Sequence, residues 1–326
     1  MKILVTGGAG YIGSNMVLAL LDAGHQPVIL DDFSTGHEQL VPEGVEVVRG
    51  NVGDSSVTDA LFATHKFDAV AHFAASIIVP ESVENPLKYY MNNTISTARL
   101  IAACVKHDIS KFVFSSTAAI YGNQDHSPID ESASPNPENP YGTSKLMSEN
   151  ILRDVAASHD FSYVVLRYFN VAGADPHGRS GQLSKPATHL IKVAVELATG
   201  QRDSMQIFGT DYPTQDGTCI RDYIHITDLI GAHMAALDYL MDGGAPLTAN
   251  CGYGAGSSVR EVLESVARVS GKNLNVEEAG RRAGDAADLV ADAALLRDRL
   301  GWVPQHDALD TIVGDALAWE RANLIG

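Results

Sequence analysis

Cysteine is nearly missing from this chain of 326 residues: Cys104, Cys219 and Cys251 are the only three, and they stand far apart. An odd number without metal-like spacing argues against both a disulfide framework and a zinc site, and points to a reducing, cytoplasmic setting with no resident metal. Long apolar runs are missing too. None approaches the roughly 20 residues that a membrane helix needs, and Met1 leads almost at once into a strand-like segment, so neither a leader nor an anchor is expected. Positive charge is scarce, with 23 Lys and Arg against 40 Asp and Glu and a formal net charge of -17. That balance argues against a nucleic-acid partner held by broad phosphate neutralisation; an anionic ligand would be held locally, by a few placed cations and helix N-termini. Internal repeats and low-complexity tracts are also lacking, which favours one two-lobed protein over a modular array.

What is present is rhythm. KILVTG, Ile12 to Ala23, PVILDD, DAVAHFAA, Asn92 to Lys106 and KFVFSS alternate short apolar runs with longer amphipathic ones. Such alternation predicts an α/β fold with a mostly parallel, doubly wound sheet of the Rossmann type. Helices are expected over Thr143 to Ala157, Thr188 to Thr199, Asp228 to Met241, Ser258 to Ser270 and Ala308 to Ala322, and strands at SYVVLRYF, YIHITDL and LTANCGYG. From about Ala172 to Arg221 the chain turns rich in Gly, Pro, Asp and Gln, as in ADPHG and TDYPTQDG, a composition that covers a sheet more readily than it builds one. The expected division is therefore a dinucleotide lobe of residues 1–171 plus about 222–254, and a smaller, discontinuous α/β substrate lobe of about 172–221 plus 255–326.

TGGAGYIG sets Gly7, Gly10 and Gly13 between the apolar strand KILV and an amphipathic helix. Gly7 allows a tight turn, Gly10 close approach to a pyrophosphate, and Gly13 close packing of helix on strand, while the N–H groups of the helix start, at Tyr11 and Ile12, face the phosphates. The second strand ends in Asp31, eighteen positions after Gly13. A carboxylate there accepts bonds from ribose hydroxyls and repels a 2′-phosphate, which favours NAD over NADP; the alternative is that Asp31 or Asp32 merely ends a strand. Asn51 and Val52 stand where an adenine edge could be read, and Phe73, Ala74 and Ala75 are placed to let a cofactor lie across the sheet, although both segments could be ordinary strand ends.

Tyr141 and Lys145 form a Tyr-x-x-x-Lys pair, YGTSK, just after the proline-rich SPNPENP. Residues four apart share a helix face, so the ammonium can sit beneath the phenol. A free tyrosine has a pKa of about 10; an adjacent cation and an oxidised nicotinamide would each lower it toward a usable base. Upstream, Ser115, Ser116 and Thr117 end the fifth apolar strand, where open α/β sheets bind ligands, and Thr117 can bridge a substrate hydroxyl and Tyr141; at least one of the three is expected only to cap the strand.

TGGAGYIG, HFAAS, FSSTAAIYG, YGTSK, RYFN and RDYIHITDL, in that order over nearly the whole chain, resemble the UDP-glucose 4-epimerase family. The resemblance implies an NAD-dependent isomerase acting on a UDP-sugar, with Thr117, Tyr141 and Lys145 as the catalytic trio and Ser115, Tyr168 and Asn92 near the nicotinamide. It also implies that Arg221 and Arg282 hold the diphosphate, Asp285 a ribose hydroxyl, Asn170 the pyrophosphate or sugar, and Phe208 and His189 the nucleotide; His189 could equally be an ordinary surface or core histidine. A homodimer is implied through the helix of Asn92 to Lys106 and the helix of Tyr141, with Ile95, Leu100, Ile101 and Val105 facing either the partner or the chain's own sheet. Related dehydratases carry acids just after the strand-end threonine; Ala118 and Ala119 stand there in this chain and cannot move a proton. Two departures matter: Ile77 replaces a lysine near the nicotinamide, and Leu289 occupies the size gate beside the sugar, which leaves N-acetylhexose and pentose substrates open. The rivals are a net oxidoreductase with exchangeable cofactor and a non-catalytic NAD sensor.

Overall fold

The computed structural model describes residues 1–183, 187–282 and 285–324. Seven strands form one parallel sheet: β1 (Lys2–Thr6), β2 (Gln26–Asp31), β3 (Glu46–Arg49), β4 (Ala69–His72), β5 (Lys111–Thr117), β6 (Ser162–Tyr168) and, after a gap in sequence, β10 (Leu247–Cys251). Their order across the sheet is β3-β2-β1-β4-β5-β6-β10. The winding reverses between β1 and β4, and the carboxyl ends at such a switch point splay into a ligand-binding crevice.

The central strands are near-continuous apolar runs because both faces are covered. On one face lie α1 (Tyr11–Asp22) and α8 (Ile226–Met241), whose Met16, Leu20, Leu229 and Ala236 pack on Val5, Val113 and Leu166. The other face carries α2 (Ser55–Thr64), α5 (Ser96–Lys106) and α6 (Pro140–Ser158), which bury Leu61, Leu100, Ile101 and Leu152 against Leu4, Phe112 and Val165. Two short helices, α3 (Val79–Glu84) and α4 (Pro86–Tyr89), and one wide turn of helix over Tyr90–Ile95 lead into α5. Leu100 and Ile101, open between a partner and the chain's own sheet on sequence grounds, are fully in the core, and Val105 packs against it; Ile95 is 38% exposed.

The remaining strands make a smaller assembly. β9 (Ile220–His225) pairs with β7 (Asn170–Ala172), β11 (Gly256–Ser258) and β13 (Asp288–Leu289), while β8 (Met205–Phe208) pairs with β12 (Val276–Ala279). The strand in YIHITDL thus joins the second sheet, and LTANCGYG alone makes the return to the first. Helices α7 (Leu190–Ala198), α9 (Val259–Ser270) and α11 (Leu309–Asn323) bury Ile191, Val195, Val262, Val266, Ile312 and Leu317 in a core of their own, and α10 (Ala294–Leu300) tucks Leu296 under the large sheet. Among the described residues no helix is long and apolar enough to cross a membrane.

Candidate active site

At the switch point Gly7 adopts φ +70, and a Cβ added to it would lie 2.7 Å from the Ala74 backbone N. The two strand ends approach so closely that only glycine fits there. A Cβ at Gly13 would meet the Gly7 carbonyl at 2.1 Å, so that glycine lets α1 settle onto the turn. The N-cap of α1 is Gly10, extended and with no side chain to cap the helix, which leaves the first N–H groups, including those of Tyr11 and Ile12, for an anion.

At the end of β2 the buried Asp31 carboxylate accepts from Ala9 N at 2.9 Å and Phe33 N at 2.8 Å. Burial raises its pKa and the two backbone bonds oppose that rise. Asn51 donates to Asp32 at 3.0 Å beside it, whereas the Val52 side chain belongs to the core. Phe73 and Ala74 follow β4 half-buried, with Ala75 and Ile77 beyond them; Ile77 is 51% exposed. Asn92 donates to Ser76 at 3.0 Å.

The second cluster lies one strand over. α6 begins at Pro140, capped by Asn139, and a Cβ at Gly142 would meet the Ala119 carbonyl at 2.5 Å. That close start presses the first turn of the helix against the end of β5 and buries Tyr141 and Lys145. Lys145 Nζ donates to the Ser115 carbonyl at 2.8 Å and lies 4.9 Å from the Phe114 ring centre. Burial pulls its ammonium down to about 7, against the opposing field of Glu149. The Tyr141 phenol is raised by burial, and Thr117 counters part of the rise. Sequence spacing predicts a phenol lowered by its lysine; the protein's own groups leave it higher, because desolvation of a phenolate outweighs the nearby hydroxyl.

The three hydroxyls of β5 have separate partners. Thr117 accepts from Ala119 N at 3.1 Å on the Tyr141 side, Ser115 shares a 2.5 Å bond with the Tyr168 hydroxyl, and Ser116 turns away to Glu149 at 2.5 Å. Ser116 is thus the one of these three hydroxyls that turns out of the cleft.

The far wall comes from the smaller assembly. Arg221 on β9 and Arg282 both face Asp285, at 3.9 Å and 2.9 Å, and the Arg282 guanidinium stacks 4.7 Å from the Phe208 ring centre. Leu289 pairs in register with Arg221 and packs on a cluster holding Ala118, Ile120 and Phe169, so the gate position is contiguous with the end of β5. Asn170 donates to the Asp222 carbonyl at 3.3 Å. His189 stands exposed at the N-terminus of α7 with Gln182 at 3.2 Å from Nδ1.

A sequence profile described as the NAD dependent epimerase/dehydratase family matches residues 3–252. The chain belongs to that family. It is 54% identical over 321 residues to a UDP-glucose 4-epimerase of Azospirillum brasilense, covering 98% of this chain and 92% of that protein. The crystal structure of a Brucella ovis UDP-glucose 4-epimerase in complex with NAD superposes with a TM-score of 0.95 at 43% identity, covering 97% of each chain. A Campylobacter jejuni UDP-Glc/GlcNAc 4-epimerase superposes at 0.87 with 47% identity over 98% of this chain and 99% of that one.

In this family member the spacing-based expectations overlook two features. One is the tie between α1 and the segment after β7: Tyr11 donates to the Gly173 carbonyl at 2.7 Å, and Ser14 meets Ser180 at 2.6 Å. The other is the buried Glu149–Arg167 pair under Lys145, signalled only by a carboxylate one turn after the lysine. Among the described residues no group of His, Cys, Asp and Glu could hold a metal ion.

Proposed function

We propose that this family member interconverts UDP-galactose and UDP-glucose by 4-epimerisation. The observation that carries the proposal is a buried Tyr141–Lys145 pair beside Thr117 at the mouth of the crevice, followed by Ala118 and Ala119, which offer no further acid or base. Such a site can take one proton and return it, the whole acid–base requirement of inversion at a carbinol carbon.

The cradle fits a dinucleotide: added Cβ atoms at Gly7 and Gly13 would collide with backbone, and Asp31 stands where ribose hydroxyls would be accepted. Gly7, Gly10, Tyr11, Ile12 and Gly13 would hold the pyrophosphate, Asp31, Asn51 and Val52 the adenosine, and Phe73, Ala74, Ala75, Asn92, Ser115, Tyr168 and Lys145 the nicotinamide ribose end. NAD, when bound, supplies a hydride acceptor that can give the hydride back, and a positive ring. Tyr141 removes the 4-hydroxyl proton, Thr117 aligns that hydroxyl, and Lys145 stabilises the phenolate. Arg221, Arg282, Asp285, Phe208, Asn170 and His189 concentrate binding on the UDP, so that the 4-keto hexose is free to turn over before it is reduced on its other face. The division into a dinucleotide lobe (1–171 with about 222–254) and a sugar lobe is part of this proposal, with β9 forming the seam.

Purified protein without added NAD should convert UDP-galactose to UDP-glucose. Absence of conversion, or conversion that consumes added nicotinamide, would overturn the proposal in favour of a net oxidoreductase or a sensor. Leu289 and the similarity to the Campylobacter protein support a second reading, activity on UDP-N-acetylhexosamines, which a panel of UDP-galactose, UDP-N-acetylgalactosamine and UDP-arabinose separates.

The exposed apolar strip Val83, Leu87, Met91, Ile95 and Met147, on the helices before α5 and on α6, supports a homodimer; Leu87→Asp should shift a dimer to monomer in sedimentation. Three buried free cysteines support a cytoplasmic location.

A further inference from the structure

We infer that Glu149, held in place by Arg167, is a positioning residue that keeps Lys145 an ammonium. The inference deepens the proposed epimerisation and rests on it. Glu149 lies one turn beyond Lys145 on the face of α6 turned to the sheet, and it is buried. Its carboxylate is tightly held: Arg167 donates through Nη2 at 2.6 Å and Nε at 3.2 Å, and Ser116 donates at 2.5 Å. Arg167 is fixed in turn, with Nη1 donating to the Tyr121 hydroxyl at 2.9 Å, which donates to Asn250 at 2.7 Å.

A buried ion pair is often replaceable by apolar residues without loss of stability, so its presence calls for another reason. The reason here is the third charge. Lys145 is buried, and among the described residues only the Ser115 carbonyl accepts from it. Glu149 is the anion whose field opposes that desolvation.

The other groups facing this spot cannot take its place. His72 on β4 is bracketed by Thr6 and Thr97 and is pulled down to about 3, so it stays neutral. The phenols of Tyr141, Tyr168 on β6 and Tyr89 on α4 are all raised by burial. Arg167 itself is a cation that shares the same carboxylate and therefore weakens its pull on Lys145.

The two partners consequently have opposite signs. Lys145 works while protonated, so activity is lost as pH rises through its titration. Glu149→Gln removes the anion and should move that loss down by about one pH unit; Arg167→Gln removes the competing cation and should move it up. A merely structural pair would destabilise both variants and leave the loss at the wild-type pH.

The test is the pH profile of kcat on UDP-galactose, with the ¹³Cε chemical shift of Lys145 followed by NMR on the same full-length proteins. The apolar double variant Glu149→Leu, Arg167→Met guards against misfolding of the singles, since it leaves neither Glu149 nor Arg167 buried without the other, and it should titrate Lys145 below wild type. Coincident profiles and an unmoved Lys145 shift, with wild-type epimerase activity present, would overturn the positioning role alone. Opposed Lys145 shifts in a protein without epimerase activity would uphold the role and overturn the proposed reaction.

Discussion

The floor and the far wall of the cleft are built on opposite electrostatic principles. On the floor, at the ends of β5 and β6, charges and hydroxyls are buried or half-buried and tied to fixed partners: Lys145 to Ser115, Ser115 to Tyr168, Ser116 and Arg167 to Glu149. On the wall Arg221, Arg282 and Asp285 are partly open to solvent and paired with one another, with the Arg282 side chain 58% exposed. Under the proposed reaction the difference follows from what each must do. Groups that move a proton gain from being preorganised in a low dielectric, where an unfavourable ionisation state can be held ready. Groups that grip an arriving diphosphate must exchange one carboxylate partner for another anion, and partial solvation keeps that exchange inexpensive.

If the floor alone carries the chemistry, the largest effect belongs to Tyr141→Phe. Loss of the proposed proton carrier should reduce kcat by about 10²–10⁴-fold, with KM and thermal stability nearly unchanged. Turnover near the wild-type level, measured on UDP-galactose, would remove Tyr141 from that role and erase the contrast between floor and wall.

Lys145→Met sharpens the same contrast, because the floor holds an ammonium that the fold disfavours. The unfolded lysine keeps its proton up to its ordinary value, whereas the folded Lys145 gives it up from about 7. Between those values the wild-type protein gains stability as pH rises. The variant lacks this term, so it should be more stable by about 1–4 kcal/mol at pH 7 and below, with the gap closing as pH climbs toward the ordinary lysine range, while activity is lost. Denaturant melts across that range measure it; a variant less stable than wild type at pH 6 would contradict the strain.

These contrasts explain which parts could be foreseen. Gly7, Gly13, Asp31, Tyr141 and Lys145 are legible in their placement because each position is set by local spacing: a strand, a turn, a helix start, one helical turn. The parallel, doubly wound sheet follows from the same alternation. β9 is different, since an apolar strand carries no local mark of which sheet it will join, and its partners β7 and β13 lie about 50 and 65 residues away. Leu100 and Ile101 show a similar ambiguity: helical periodicity identifies an apolar face without saying whether sheet or partner covers it, and the exposed strip falls instead on residues before α5 and on Met147. The raised Tyr141 phenol was hidden for another reason, since depth of burial is a property of the assembled cleft.

The wall offers the smallest and most graded effects. Arg221 is 16% exposed in its side chain and sits in a strand between β7, β11 and β13, whereas Arg282 is mostly solvated and stacked on Phe208. A cation–phosphate contact strengthens as water is excluded from it, so the two arginines should not be equivalent. Arg221→Ala should raise KM for UDP-galactose by about 10–100-fold, and Arg282→Ala by about tenfold or less, both with kcat little changed. Raising ionic strength should weaken wild-type binding through the Arg282 contact, so the Arg282→Ala protein should show the flatter salt dependence and Arg221→Ala should keep the wild-type slope. Equal salt slopes in the two variants would mean that both arginines meet the diphosphate in the same environment, and the wall would then be as closed as the floor.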